Sequence, residues 1–133
     1  MVFVDTSAWF AAIVPSDPNH TSAAHWLAVN AEVLITTDYI VDEALTLLRA
    51  RGERQRAKLL GKKFFEGSIA EIYFLTEEDV REAWATFAQY EDKSWSFTDC
   101  SCKVVMDQLK IAQAFAFDQH FRQFGTVDVV PYK

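Results

Sequence analysis

The sequence has few residues that could cross-link the chain or bind a soft metal. It contains two cysteines and three histidines in 133 residues. Cys100 and Cys102 lie two positions apart in a predicted helix, where their side chains point in different directions. Structural zinc sites need about four ligands at characteristic spacings. We therefore expect both cysteines to be small packing residues, not a disulfide or part of a zinc site.

Long apolar runs and targeting segments are also missing. No apolar stretch approaches the roughly 20 residues of a membrane span, and the N-terminus lacks a basic region followed by an apolar one. These absences favour a cytoplasmic protein. Half of the residues are hydrophobic and 14% are aromatic, which excludes a disordered chain and predicts a dense core. The length predicts a single domain over residues 1–133.

Positive charge is scarce overall and unevenly distributed. The formal net charge of −6 is unusual for a nucleic-acid binder, but seven of the thirteen basic residues fall within one short segment. They are Arg49, Arg51, Arg54, Arg56, Lys58, Lys62 and Lys63. The segment could form a local positive patch or a solvated helix face.

Short apolar runs alternate with segments of helical periodicity along the chain. Strands are predicted at residues 1–4, 33–36, 69–74, 111–117 and 128–130. Helices are predicted at residues 7–14, 21–30, 38–51, 53–65 and 96–109, with a further helix after a capping box that begins at Thr76. Asp38 is the expected cap of the third helix. This alternation predicts an α/β fold with three layers, α/β/α, around a mostly parallel sheet of four to five strands.

Two aspartates follow predicted strands directly. Asp5 ends the apolar run at the N-terminus, and Asp118 ends a second run near the C-terminus. Ligands of open α/β sheets bind just beyond the carboxyl ends of the strands. Asp5 and Asp118 are therefore candidate site residues.

Helical periodicity distinguishes two adjacent acids in the third helix. Asp42 belongs to a polar row that faces solvent, whereas Glu43 shares an apolar row with Ile40 and Leu47. An isolated buried carboxylate is costly, so Glu43 must be paired, protonated or bound to a cation. A salt bridge to a basic helix residue is the alternative to a role in a site.

A fourth acid, Asp99, lies at the start of a predicted helix. Ser-x-x-Asp is also a capping arrangement, but a parallel sheet can bring Asp5, Glu43, Asp99 and Asp118 to one edge. Two like charges about 4 Å apart repel by ~4 kcal/mol at an effective dielectric of about 20, so such a group needs a cation. Carboxylates favour Mg²⁺ or Mn²⁺ over zinc, and these metals activate water and stabilise phosphoryl charge. His120 follows Asp118 closely enough to touch the site.

Four segments together resemble the PIN domain, and more closely the VapC-type toxin ribonucleases of prokaryotic toxin–antitoxin pairs. The segments are Val4-Asp5-Thr6-Ser7-Ala8, Val41-Asp42-Glu43-Ala44, Ser96-Phe97-Thr98-Asp99-Cys100 and Ala116-Phe117-Asp118-Gln119-His120-Phe121. The resemblance implies that Asp5, Glu43, Asp99 and Asp118 are a catalytic metal-binding quartet, supported by Thr6 or Ser7. It also implies Mg²⁺- or Mn²⁺-dependent endonucleolytic cleavage of RNA, a dimer and a cognate antitoxin.

The chain departs from that pattern at one position. Many relatives carry Thr or Ser two residues before the last acid, where this chain has Ala116. A supporting hydroxyl group near Asp118 is then missing, so direct metal ligation by Asp118 stays open.

Two surfaces are expected to bind partners. Arg49, Arg51 and Arg54 follow the helix that carries Glu43 and are candidates for binding the RNA backbone, or alternatively an acidic antitoxin arm. The aromatic residues Trp9, Phe10, Phe64 and Phe65 exceed the needs of a small core and suggest an interface for a homodimer and an antitoxin helix.

Other functions fit the sequence less well. Phosphatases of the haloacid dehalogenase type need Asp-x-Asp after the first strand, and Ser7 occupies the second of these positions. Receiver-like domains need an early acidic pair and a late lysine. A catalytically silent PIN-like module that acts through protein or RNA contacts is the remaining alternative.

Overall fold

Five short parallel strands form the centre of the molecule. The computed structural model describes residues 1–132. The strands are β1 (Val2–Val4), β2 (Leu34–Thr37), β3 (Glu71–Tyr73), β4 (Gln113–Phe115) and β5 (Asp128–Val130). Their order is β3-β2-β1-β4-β5, and every pair is parallel. The predicted α/β/α architecture with a parallel sheet is confirmed.

Six α-helices and one 3-10 helix connect the strands. They are α1 (Thr6–Ile13), α2 (His20–Val29), α3 (Asp38–Ala50), α4 (Arg54–Glu66), α5 (Glu77–Gln89), α6 (Phe97–Leu109) and the 3-10 helix Gln119–Phe124. None of the helices within residues 1–132 combines the length and the apolar character that crossing a membrane requires.

The core lies on both sides of β1. All three residues of this strand are fully buried, as are Phe64, Phe115 and Phe121 from the surrounding elements. A strand that is covered on both faces consists of apolar residues without alternation. β1 therefore fixes the position of the residue that follows it, Asp5, at the carboxyl edge of the sheet.

Two details of the helix starts determine where polar side chains point. The prediction that Asp38 caps α3 is wrong: β2 extends to Thr37, whose hydroxyl group accepts from the Ile40 amide at 3.1 Å. Asp38 instead accepts from the Leu75 amide at 2.9 Å. The capping box predicted at Thr76 is confirmed.

Burial corrects the expectation for two aromatic residues and agrees with a packing role for the cysteines. Trp9 and Phe64 are buried and pack edge to face, with ring centroids 5.0 Å apart. They join α1 to α4 within the core and are therefore not part of an exposed interface. Phe65 is exposed. Cys100 and Cys102 are buried and free.

Candidate metal centre

Asp5 is the most deeply buried of the four candidate acids. Its residue is only 3% exposed, and its Oδ2 accepts from the Ser7 hydroxyl group at 2.7 Å and the Ser7 amide at 3.2 Å. Burial raises the pKa of Asp5 to about 7; the Ser7 hydrogen bonds oppose this rise and the nearby charge of Asp99 adds to it. The ionised form of Asp5 is thus costly unless a cation compensates for the lost hydration.

Ser7 joins Asp5 to the segment that carries Asp118. Its Oγ donates to Asp5 and accepts from the Phe117 amide at 2.9 Å and the Asp118 amide at 3.3 Å. The ends of β1 and β4 are therefore held together by one hydroxyl group. Ala116 is buried and has no hydroxyl group. The hydroxyl oxygen that accepts from the Asp118 amide belongs to Ser7.

Glu43 faces the same edge from α3. Thr6 Oγ1 donates to Glu43 Oε1 at 2.5 Å. Burial raises the pKa of Glu43, and the charges of Asp99, Asp118 and Asp42 add to the rise, against the Thr6 hydrogen bond. No basic side chain within residues 1–132 forms an ion pair with Glu43. Asp42, one position earlier, is exposed.

Asp99, Asp118 and His120 form a compact group. Nδ1 of His120 lies 2.7 Å from Asp99 Oδ2 and 3.3 Å from Asp118 Oδ1. One potential ligand atom from each of the three residues lies within 4.8 Å of the other two. Asp99 is buried, and its Oδ2 also accepts from the Ser96 amide at 2.9 Å. The Asp99 side chain thus caps α6 and also lies beside Asp118 and His120.

His120 contacts two of the acids, as its position two residues after Asp118 allows. The 3-10 helix begins directly after Asp118, and the His120 amide donates to Asp118 Oδ1 at 2.9 Å. This turn folds the imidazole back over both carboxylates, with Nε2 3.3 Å from the Ser94 hydroxyl oxygen. The only sign of this contact in the sequence is that His120 lies two residues after Asp118.

The donor set suits a hard divalent cation. The edge combines carboxylates from the ends of β1 and β4 with those of α3 and α6, and Mg²⁺ and Mn²⁺ prefer carboxylate oxygens. The buried Asp5 carboxyl group can ionise at low cost only if positive charge is nearby. The additional imidazole nitrogen is better tolerated by Mn²⁺ than by Mg²⁺.

The basic segment does not form a single patch beside these acids. Arg49 and Arg54 line an open groove between α3 and α4, together with Lys58 and Lys62. The guanidinium group of Arg51 instead lies 5.9 Å from the ring centre of Phe10. Arg49 is about 9 Å further along α3 than Glu43, at 1.5 Å per residue. The groove is thus separate from the acidic edge.

Comparison with known proteins identifies relatives across the whole chain. The PIN domain family model matches residues 2–127. The chain is 30% identical over 131 residues to the 23S rRNA-specific endonuclease VapC20 of Mycobacterium tuberculosis, covering 98% of this chain and 99% of that protein. It is 29% identical over 127 residues to a VapC ribonuclease of Archaeoglobus fulgidus, covering 89% of this chain and 77% of the relative.

Solved structures agree with this assignment. The crystal structure of M. tuberculosis VapC20, described as a sarcin–ricin loop cleaving toxin, has a TM-score of 0.91 at 27% identity and covers 98% of this chain and 100% of its own. FitAcB from Neisseria gonorrhoeae shares the fold, with a TM-score of 0.69 at 16% identity, over 98% of this chain and 97% of its own. The chain belongs to the PIN domain family and is homologous to the VapC toxin ribonucleases.

Proposed function

We propose that this chain is a Mg²⁺- or Mn²⁺-dependent endoribonuclease and the toxin component of a type II toxin–antitoxin pair. The observation that carries the proposal is the compact group of Asp99, Asp118 and His120, together with the effect of the Asp99 charge on the pKa values of Asp5 and Glu43. Similarity to VapC ribonucleases supports the reaction class.

Asp5, Asp99, Asp118 and Glu43 would hold the metal, and Thr6 and Ser7 would keep two of them in place. The bound metal would activate water and stabilise charge on the phosphoryl group. Ser7 orients the Asp5 carboxylate and fixes the backbone at Asp118. Burial raises the pKa of Glu43, which makes this residue better suited to exchange a proton with an attacking water.

The proposed partners follow from the relatives and from the charge distribution. We place RNA at the acidic edge. Arg49, Arg51 and Arg54 form no single patch beside that edge, but they would add longer-range attraction to the RNA backbone in a protein of net charge −6. We also propose a homodimer and a complex with an antitoxin encoded by the neighbouring gene. We further propose that the protein acts in the cytoplasm and that residues 1–133 form one functional domain.

An RNA-cleavage assay tests the proposal. Because VapC20 is described as a sarcin–ricin loop cleaving toxin, an RNA fragment that contains this loop is the first substrate to try. The wild type should cleave in Mg²⁺ or Mn²⁺, and Asp99→Asn should abolish cleavage because it removes a ligand charge. Asp42→Asn is the matched control, since Asp42 is exposed and lies outside the cluster.

Two results would contradict this function. Undiminished cleavage by Asp99→Asn, or cleavage that persists in excess chelator, would show that the acids do not act through a metal. An absence of cleavage across ribosomal, transfer and messenger RNA, with RNA or protein binding intact, would favour the catalytically silent module.

A further inference from the structure

A groove of about 340 Å³ opens beside the acidic edge. Phe117 and Gln119 line it and flank Asp118 in the sequence, so the groove begins within one residue of the proposed metal centre. Ser22 contributes from α2, and Tyr132 from the segment after β5. The groove is therefore a candidate site for the part of a substrate next to the acids.

The groove contains a cation that the fold does not use. Arg122 is exposed and lines the groove, and no carboxylate within residues 1–132 lies at ion-pair distance from it. Asn19, Ser22 and Gln119 add uncharged polar groups around it. A guanidinium group with polar neighbours is suited to a phosphate group.

Aromatic faces complete the groove. Tyr132 is 70% exposed, and its hydroxyl group donates to Asp128 Oδ2 at 2.5 Å, which restrains the ring. Phe117 is half-buried and packs edge to face on Phe115, with centroids 5.9 Å apart. Exposed aromatic rings next to a cation are the elements with which proteins bind single-stranded nucleic acids, through base stacking and phosphate contacts.

We infer that this groove is a subsite for one unpaired ribonucleotide adjacent to the scissile phosphate. Arg122 binds its phosphate group, and its base stacks on Tyr132 or Phe117. The inference rests on the proposed ribonuclease function and adds the position of one nucleotide beside the acids. The base of this nucleotide must be unpaired, because a paired base cannot reach the rings.

RNA binding measured without catalysis tests the subsite. The probe is a short fluorescent oligouridylate, titrated in excess chelator over a series of salt concentrations. Arg122→Gln should weaken binding several-fold and reduce the slope of log affinity against log salt by about 0.7, the value for one phosphate contact on a single strand. Arg122→Lys should retain the slope, since the charge remains.

A matched control removes the same charge elsewhere. Arg81 is exposed on α5 and pairs with Glu77 at 2.9 Å, away from the groove. Arg81→Gln should leave the salt slope unchanged. Tyr132→Ala should weaken binding by on the order of tenfold without changing the slope, because it removes stacking and not a phosphate contact.

The inference fails if Arg122→Gln and Arg81→Gln bind the oligouridylate alike. It also fails if Arg122→Gln keeps wild-type RNA binding but loses the antitoxin, which would assign the groove to a protein partner. These results are independent of the proposed function: a protein that binds RNA normally but does not cleave it refutes the ribonuclease and not the subsite. Circular dichroism of each variant confirms that the fold is intact.

Discussion

Asp5→Asn should stabilise the metal-free protein at alkaline pH. In the folded state, burial raises the pKa of Asp5 from 3.8 to about 7. This difference corresponds to about 4 kcal/mol at roughly 1.36 kcal/mol per pKa unit. Asparagine avoids the buried charge and keeps an oxygen for the Ser7 hydrogen bonds, but its NH₂ group needs a partner. We therefore expect a gain of about 2 to 4 kcal/mol in the free energy of unfolding at about pH 8.

The stabilisation by Asp5→Asn should increase as the pH rises. Because the folded-state pKa of Asp5 is raised, its contribution to stability is full below the unfolded pKa of 3.8 and is lost as the pH rises to about 7. Urea unfolding in chelator at about pH 5 and about pH 8 should show the advantage of Asp5→Asn growing by about 2 to 3 kcal/mol. Asp42→Asn, at an exposed position, should show no such trend. An Asp5→Asn protein less stable than the wild type at about pH 8 would refute this reasoning.

Three further variants test individual contacts. Thr6→Val removes the hydroxyl group that donates to Glu43, so the pKa of Glu43 should rise further. The pH–rate profile for RNA cleavage should then shift to higher pH, and an unchanged profile would exclude a role for this hydrogen bond. His120→Ala removes a contact to Asp99 and should lower the metal-free unfolding free energy by about 2 kcal/mol, whereas an equal or higher value in urea unfolding would show that this contact does not stabilise the metal-free protein. Simultaneous neutralisation of Arg49, Arg51 and Arg54 should lower the RNA affinity and the salt slope of RNA binding, with little change in metal binding. An unchanged salt slope with lost antitoxin binding would assign these arginines to the antitoxin.

Periodicity predicted much of the fold and the orientation of one key acid. Apolar runs located all five strands, and the alternation with helices indicated a parallel sheet. The helical row of Ile40 and Leu47 separated Glu43 from Asp42, and the structure places Glu43 beside Thr6 and Asp42 in solvent. Patterns of this kind succeed because burial of one face determines which side chains turn inward.

Features that depend on tertiary contacts were not predictable. The apolar run at residues 111–117 extends beyond β4, because apolar residues continue past the strand into the core. The 3-10 helix that positions His120 is only six residues long, and its two buried residues, Phe121 and Phe124, are too few to indicate a helix from the sequence. Burial of Trp9 against Phe64 depends on how α1 meets α4, and a sequence window does not contain that information.

Mn²⁺ binding measured by titration calorimetry tests the central claim most directly, because it requires neither the correct RNA nor the antitoxin. At about pH 7.5 the wild type and Asp42→Asn should bind Mn²⁺ alike. Asp99→Asn should bind at least about tenfold more weakly, since it loses a ligand charge beside Asp118 and His120. Equal Mn²⁺ affinity in Asp99→Asn and the wild type, or no Mn²⁺ binding by the wild type, would contradict a metal centre at this edge of the sheet.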